Sequence, residues 1–328
     1  MTTLMTRRNF SLLTAAAIAS PMARARDSWR LATGYRSDGF HGINIASMTR
    51  DVALATQGSF NIEVHANSTL AKLGDVRAAV ESEKAQAGET ILTSMVKEMP
   101  IAGADSVPFI VSSYSDAKRM WRYQRPLLDR HFAARGLQVL YAVPWPPQGL
   151  YTNKPLVTKQ DFHGSRMRTY NSTTVRIAEL LGAQGVDVPM VQVGQALAQG
   201  RIDSMITSAV TGVENKVWDH VKYYYEINAW FPKNVVFANA KALQALRPEE
   251  RDSLLRAAAA AEVRGWAASE AAAAQSVDEL RRNGMKVERV PLSVATELKR
   301  MGERFSVEWI REVGPEANYI FVPYFTQS

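Results

Sequence analysis

Apolar and polar positions alternate along the chain in a way that predicts strands and helices in turn. Short apolar runs at 29–35, 60–66 and 87–92 have the length and composition of strands, and helical spacing fills 43–56 and 73–84 between them. This strand-helix-strand order predicts a mostly parallel sheet with helices on both faces. The fold class is therefore α/β.

The pattern continues with a helix predicted at 115–135 and a strand at 137–143, after which the sequence Trp-Pro-Pro-Gln-Gly interrupts the chain at 145–149. Ligand clefts in open parallel sheets lie at the carboxyl ends of strands. We therefore expect this rigid loop, which carries Trp145 and Gln148, to form a wall of a cleft. A simple proline turn with a packed tryptophan is the alternative.

The charged residue that says most about function lies in the stretch 161–208. A short strand predicted at 167–169 delivers Arg168, and a helix predicted at 173–180 follows it. A guanidinium at a strand end, beside helix N-terminal amides, favours a carboxylate. A strand arginine can equally belong to a structural salt bridge, and the residues alone leave both interpretations open.

A long helix dominates the last third of the chain. Pro248 suits a helix start, the apolar and alanine-rich pattern continues to Leu280, and basic residues followed by Gly284 indicate the end. Such a helix is about 50 Å long and outreaches one small domain, so it could join two lobes. A strand at 285–290 and a helix at 292–313 complete the pattern. Because no linker separates the lobes, we expect the chain to cross between them more than once.

The first 25 residues predict an export signal. Arg7 and Arg8 precede an apolar run at 10–17, and small residues at 23–25 suit a cleavage site. The paired arginines resemble the twin-arginine pattern, although a general secretory signal has a similar start. The apolar run is too short for a stable anchor, so we expect a periplasmic protein without membrane insertion of the mature chain.

The composition of the chain excludes further classes of function. The chain of 328 residues is 46% hydrophobic, which suits about two globular domains. A formal net charge of +7 is weak evidence for nucleic acid, and no lysine-rich run or aromatic stacking pattern supports that partner. The absence of cysteine excludes disulfides, iron-sulfur clusters and cysteine nucleophiles.

Motifs for catalysis and metal binding are missing. The sequence has no G-x-S-x-G elbow, H-E-x-x-H helix, Walker loop or EF-hand spacing. The histidines lie scattered, without metal-ligand spacing, and are interpreted as surface or core residues: His41, His65, His131, His163 and His220. We therefore expect no enzyme, no cofactor and no metal.

A family resemblance extends over essentially the whole mature chain. It is carried by the order Asp161, Gly164, Arg168, Asn171, Gly182-Ala183, Gln195-Ala196-Leu197, Gly200 and Asp203, and by Leu70, Gly88, Val107-Pro108-Phe109, Gly136-Leu137, Asn239 and the helix after Pro248. In this order the chain resembles the DctP-type solute-binding proteins of tripartite ATP-independent periplasmic (TRAP) transporters.

The resemblance implies a two-lobed periplasmic binding-protein fold with a cleft between the lobes and the long helix spanning both. We expect lobe I to contain 26–145 and 232–265, and lobe II to contain 146–231 and 266–328. The lobes would close like a hinge over a small organic acid, and the protein would deliver this ligand to the membrane permease subunits of a TRAP transporter.

The resemblance also implies site residues. The carboxylate-binding arginine of the family falls on Arg168, and the asparagine after it falls on Asn171. Gln148 stands where some sugar-acid binders have arginine, and Thr207 stands where those members usually have asparagine. These departures imply a smaller or less polar ligand than a sugar acid, such as an aromatic or branched monocarboxylate.

Further candidates complete this predicted pocket. They are Trp145, Tyr170 and Trp230 near the cleft, and Glu89, Ser94 and Phe40 from lobe I. Glu89 could equally be a structural hydrogen-bond partner. Two other functions remain open: an exported cofactor-dependent oxidoreductase, and a periplasmic sensor or adaptor that binds the same anion.

Overall fold

The computed structural model describes residues 27–326, so the export signal predicted at 1–25 lies outside the described residues. The strands are β1 (Asp27–Thr33), β2 (Phe60–His65), β3 (Ala87–Ile91), β4 (Leu137–Pro144), β5 (Gln148–Thr152), β6 (Arg166–Thr169), β7 (Gln184–Asp187), β8 (Ser204–Ser208), β9 (Tyr223–Tyr225), β10 (Lys233–Asn239) and β11 (Lys286–Glu288). They form one sheet of order β2-β1-β3-β10-β4 and a second of order β11-β9-β5-β8-β6-β7. We call the parts built on these sheets lobe I and lobe II.

The helices agree well with the sequence pattern. They are α1 (Phe40–Ala55), α2 (Val76–Glu81), α3 (Tyr114–Ala133), α4 (Ser172–Leu181), α5 (Val193–Ala198), α6 (Ala209–Glu214), α7 (Ala240–Ala245), α8 (Pro248–Arg282), α9 (Leu292–Val313) and α10 (Asn318–Thr326). The predicted bounds of α9 are confirmed, whereas α2 is shorter than predicted. A 3₁₀ turn replaces its first residues, and the left-handed backbone of Glu83 (φ 60°) excludes its last ones. Within 27–326, no helix is long and apolar enough to cross a membrane.

Each sheet is mostly parallel and contains one reversed strand. In lobe I, β1 pairs in parallel with β2 and β3, and β10 runs antiparallel to β3 and β4. In lobe II, β5 runs antiparallel to β8 and β9, while β6 is parallel to both β7 and β8. The prediction of a mostly parallel α/β sheet is confirmed. The reversed strands are those by which the chain enters lobe II and returns to lobe I.

Both faces of each sheet are buried, as the continuous apolar runs predict. On β10, Val235 and Phe237 pack into one core, and Val236 and Ala238 pack into the core on the opposite face. Successive side chains of a strand point to opposite faces. The two faces of the lobe II sheet are likewise covered by separate apolar clusters.

Four connections join the lobes, and the last of them is α9, which has Leu298 in a lobe II cluster and Trp309 in a lobe I cluster. The segment after β4 pairs with the segment before β10, because Trp145 N donates to the Pro232 carbonyl at 2.7 Å and Gln148 N donates to the Trp230 carbonyl at 3.0 Å. The third connection is α8, which contacts α1 and β4 in lobe I and α6 and β11 in lobe II. A Cβ at Gly265 would lie 2.3 Å from a Val143 methyl group, so this glycine lets α8 pack directly on β4.

Candidate ligand-binding site

Arg168 is a buried cation near the carboxyl end of β6. Its side chain is 3% exposed, its Nε donates to the Val188 carbonyl at 2.9 Å, and its guanidinium lies 4.6 Å from the centre of the Tyr170 ring. Burial lowers the pKa of Arg168 to about 10, opposed chiefly by Tyr170, so the group stays charged at neutral pH. Across residues 27–326, no carboxylate lies within salt-bridge distance of Arg168; Asp187 acts on it only from farther away. Among the described residues, this cation therefore lacks a counter-ion.

Asn171 supplies a second donor three residues later. It caps α4: its Oδ1 accepts from Thr174 N at 2.9 Å, and the Thr174 hydroxyl oxygen accepts from Asn171 N at 3.2 Å. The cap leaves Asn171 Nδ2 buried and without a hydrogen-bond partner among the described residues. A buried N–H without an acceptor is costly, and a helix N-terminus favours negative charge. Both effects favour an anion at this position.

Tyr170 lies next to Arg168, and Gln148 and Trp230 lie next to Tyr170. The Tyr170 hydroxyl donates to Gln148 Oε1 at 3.3 Å, and Gln148 Nε2 donates to the Pro146 carbonyl at 2.9 Å. Burial raises the pKa of Tyr170 to about 12, opposed first by Arg168. The indole N–H of Trp230 affects that pKa too, yet it is buried without a hydrogen bond of normal geometry to any residue of 27–326. It is a further donor available to a ligand.

An aromatic wall faces this group from lobe I. The His41 ring lies 4.1 Å from the Phe40 ring and 4.6 Å from the Trp145 ring, and Tyr35 lies 5.3 Å from Trp145, all between ring centres. These side chains and Met190 of lobe II enclose a space of about 10 Å³. That is room for about one water molecule.

Glu89 forms the base of the aromatic wall. It is 1% exposed; Thr33 Oγ1 donates to its Oε2 at 2.6 Å, and Asn234 Nδ2 donates to its Oε1 at 2.9 Å. Trp145 Nε1 in turn donates to Asn234 Oδ1 at 2.8 Å. Burial raises the pKa of Glu89, and its two hydrogen bonds oppose that shift. The structure thus places Glu89 in a structural network that also orients Trp145.

Tyr35 connects the two halves of the site. Burial raises the pKa of its hydroxyl, which is raised further by Glu89 and lowered by Arg168. Tyr35 therefore lies within electrostatic reach of both groups. The aromatic wall and the Arg168 group face one cleft.

Thr207 and Ser94 are less closely connected to this site. Thr207 is 4% exposed on β8, opposite Gly149 in the strand pairing with β5. Ser94 is exposed, and its hydroxyl bonds the Thr90 hydroxyl at 3.0 Å and the Ile91 carbonyl at 2.7 Å. The structure does not bring Ser94 into hydrogen-bond contact with the other predicted residues.

Sequence reasoning missed four residues of the cleft: Tyr35, His41, Asn234 and Glu214. Tyr35 was placed at the end of β1, but the strand ends at Thr33 and Tyr35 enters the cleft. His41 was interpreted, with the other histidines, as a surface or core residue and not as part of a site; it is 3% exposed. Within residues 27–326, no group of three or more His, Asp or Glu side chains could hold a metal. A pattern search for polar residues just beyond strand ends could have found Tyr35.

Comparison with known proteins gives the same family along the chain. The family described as bacterial extracellular solute-binding protein, family 7 (DctP), matches residues 37–307. Two similar crystal structures are extracytoplasmic solute receptors of Bordetella pertussis that bind pyroglutamic acid. DctP6 is 34% identical, with 92% of this chain and 100% of that chain covered and a TM-score of 0.89. DctP7 is 37% identical, with 91% and 99% covered and the same TM-score of 0.89.

A third similar structure is a marine metagenome TRAP solute-binding protein specific for pyroglutamate, solved with co-purified pyroglutamate. It is 32% identical, covers 92% of this chain and 99% of that chain, and has a TM-score of 0.89. The shared fold confirms the two-lobed architecture. The chain belongs to the DctP family of extracytoplasmic solute-binding proteins of TRAP transporters.

Proposed function

We propose that this protein captures pyroglutamate, or a cyclic monocarboxylate of the same size, in the periplasm and delivers it to the membrane subunits of a TRAP transporter. Arg168 binds the ligand carboxylate in this proposal. Three similar structures at 32 to 37% identity bind pyroglutamate, which favours this ligand over the aromatic or branched acid expected from the sequence. The export signal predicted at 1–25 supports the periplasmic location.

The observation that carries the proposal is a buried guanidinium without a protein counter-ion. Arg168 is charged, 3% exposed and unpaired among the described residues. A carboxylate matches its fork in a bidentate way, and each charge-assisted hydrogen bond contributes about 1.5 to 3 kcal/mol. Asn171 Nδ2 and Trp230 Nε1 are further donors without acceptors. A part of the site with this many hydrogen-bond donors favours the binding of an anion.

Ligand entry requires the lobes to separate. A space of about 10 Å³ is far too small for a five-membered ring with a carboxylate. We propose that the paired segments at 145–147 and 226–232 bend as a hinge and that α8 limits the movement. The ligand then favours the closed form by contacting both lobes.

The lobe boundaries remain part of this proposal, with lobe I at 26–145 and 232–265 and lobe II at 146–231 and 266–328. The packing of α10 argues for one change. Ile320, Phe321 and Tyr324 share the apolar cluster of α3 and the lobe I sheet, which favours moving the last helix to lobe I.

We further propose that the protein acts as a binding protein without catalytic activity. The buried histidine of the cleft, His41, contacts a carboxylate that structural donors already engage, which argues against a catalytic base there. The sensor or adaptor function uses the same ligand site. Genes for two membrane subunits beside this one would favour transport.

The ligand test compares pyroglutamate with its neutral carboxamide. We expect pyroglutamate to raise the melting temperature of the purified protein in a thermal shift assay, because occupancy stabilises the native state by mass action. The carboxamide keeps the ring but lacks the charge, so it should give little or no shift. Equal shifts, or no shift with pyroglutamate at millimolar concentration, would contradict the proposed ligand.

A further inference from the structure

His41 stands between a structural carboxylate and the cleft. Its Nδ1 lies 3.3 Å from Glu89 Oε1, with side-chain exposures of 3% and 1%. Its other ring nitrogen, Nε2, is buried and has no hydrogen-bond partner within residues 27–326. The same ring lines the small space enclosed by Tyr35, Phe40 and Trp145. One nitrogen therefore lies beside a protein carboxylate, and the other is unpaired on a ring that lines this space.

The hydrogen-bond chain behind His41 fixes its tautomer. The Trp145 indole can only donate, so Asn234 Oδ1 must accept and Asn234 Nδ2 must donate to Glu89 Oε1. Glu89 Oε1 is thus only an acceptor toward His41 when the carboxyl is ionised or carries its proton on Oε2. His41 Nδ1 must then carry the proton, which leaves Nε2 as an acceptor.

Burial also keeps this ring neutral. It lowers the pKa of His41 to about 3, so a second proton is absent at any pH near neutrality. The ionisable groups that share its surroundings are Glu89, Tyr35, Arg36 and Glu214, the last of which lines the same space from lobe II. A buried imidazole nitrogen that carries no proton favours a ligand that donates a hydrogen bond to it.

We propose that His41 Nε2 accepts a hydrogen bond from a ring N–H of the ligand, and so selects lactam-type monocarboxylates over analogues of equal shape without that N–H. This inference rests on the proposed function, and deepens it by dividing the site into two parts. Arg168, Asn171 and Trp230 present donors for the carboxylate. His41 presents an acceptor for the ligand nitrogen.

The energetic basis is the asymmetry of buried hydrogen bonds. A ligand with a methylene in place of the N–H fills the same volume but leaves Nε2 unpaired, and this penalty exceeds the net gain of an ordinary hydrogen bond. Sites that bind a substrate N–H reject analogues that lack it for this reason. A single water in the cleft is the competing partner for Nε2, and it would give no such discrimination.

The experiment compares pyroglutamate with the cyclopentanone carboxylate in which a methylene replaces the ring N–H. Calorimetric titration of the wild-type protein should show weaker binding of the carbocycle, by about tenfold or more. In His41→Phe this ratio should fall to one or below, because the ring N–H of pyroglutamate then meets an apolar ring and is left unpaired. His163→Phe, which changes an exposed histidine, should keep the wild-type ratio.

Each outcome decides between the claims. If the wild type binds both compounds equally, His41 does not select the N–H, although the pyroglutamate proposal stands. If the wild type binds neither, the proposed function fails and this inference fails with it. A tenfold ratio that persists in a folded His41→Phe variant overturns the role of His41 alone.

A second measurement needs no variant. Nitrogen NMR of protein labelled in histidine should show one buried ring as the Nδ1–H tautomer, and pyroglutamate should move its bare Nε2 resonance in the direction of hydrogen bonding. The carbocycle should leave that resonance close to its ligand-free position. An Nε2–H tautomer, or the same response to both compounds, would contradict the inference.

Discussion

Two buried cations of this protein have opposite surroundings. Lys233 at the start of β10 and its partner Asp105 are both 0% exposed, and Lys233 Nζ lies 3.1 Å from Asp105 Oδ2. The same oxygen accepts from Lys233 N at 2.9 Å. Arg168 is equally deep in lobe II, but no carboxylate of residues 27–326 pairs with it. The first cation is neutralised by the fold, and the second has no carboxylate partner among the described residues.

The difference separates a buried charge that contributes to the stability of the fold from a buried charge that is available to bind a ligand. Burial lowers the pKa of Lys233 and raises that of Asp105, and their mutual attraction opposes both shifts. Removing either partner leaves a buried group uncompensated. Removing Arg168 removes a charge whose compensation must come from outside the chain. Variants of the pair should therefore affect folding, and variants of Arg168 should affect binding.

The largest expected effect is on the paired cation. Lys233→Met should lower the free energy of unfolding by about 3 to 5 kcal/mol, because Asp105 is left buried without its cation. Urea unfolding followed by tryptophan fluorescence measures this change. The double variant Lys233→Met, Asp105→Asn should be less destabilised than the single one. A single variant within about 1 kcal/mol of wild type would contradict this account of the pair.

A smaller effect is expected at Glu214, a half-buried carboxyl that lines the cleft. Its Oε2 has no hydrogen-bond partner within the described residues, and burial raises its pKa to about 7, opposed by Arg36. A carboxyl whose pKa is higher in the folded state than in the unfolded state destabilises the fold when it ionises. This destabilisation is absent below the unfolded-state pKa, grows as the pH rises toward 7, and is constant above that pH.

Glu214→Gln should therefore be more stable than wild type at about pH 8 by about 1 to 2 kcal/mol, allowing for partial exposure, and nearly equal to it at about pH 4.5. Unfolding curves at several pH values measure the difference. Glu179→Gln changes a solvent-exposed glutamate on α4 and serves as a control without this trend. A pH-independent difference at Glu214 would argue against the raised pKa.

Much of the fold could be predicted from the sequence because its long elements carry strong periodicity. Pro248 starts α8 and the predicted bounds of α9 are those observed. The short strands of lobe II were harder. β5 and β8 are only five residues each and fully buried, so they show no alternation of polar and apolar residues that separates them from loops.

The residues of the site also differ in how well the sequence predicts them. Arg168 could be singled out because a predicted strand and the following helix lie within one short stretch of sequence, and Asn171 followed from the family resemblance. The role of His41 could not, because it depends on Glu89, Asn234 and Trp145, which come from separate elements. Local patterns predict residues that a single stretch positions. They do not predict networks that the tertiary fold assembles.

The most direct test of the central claim is a cycle of two proteins and two ligands. Wild type and Arg168→Met are titrated with pyroglutamate and with its neutral carboxamide, with Arg166→Met as the control, since Arg166 already pairs with Asp203 at 3.1 Å on the surface. We predict that Arg168→Met weakens pyroglutamate binding by about 100-fold or more, barely changes carboxamide binding, and leaves ligand-free stability intact. Equal losses for both ligands would contradict the claim that Arg168 binds the carboxylate.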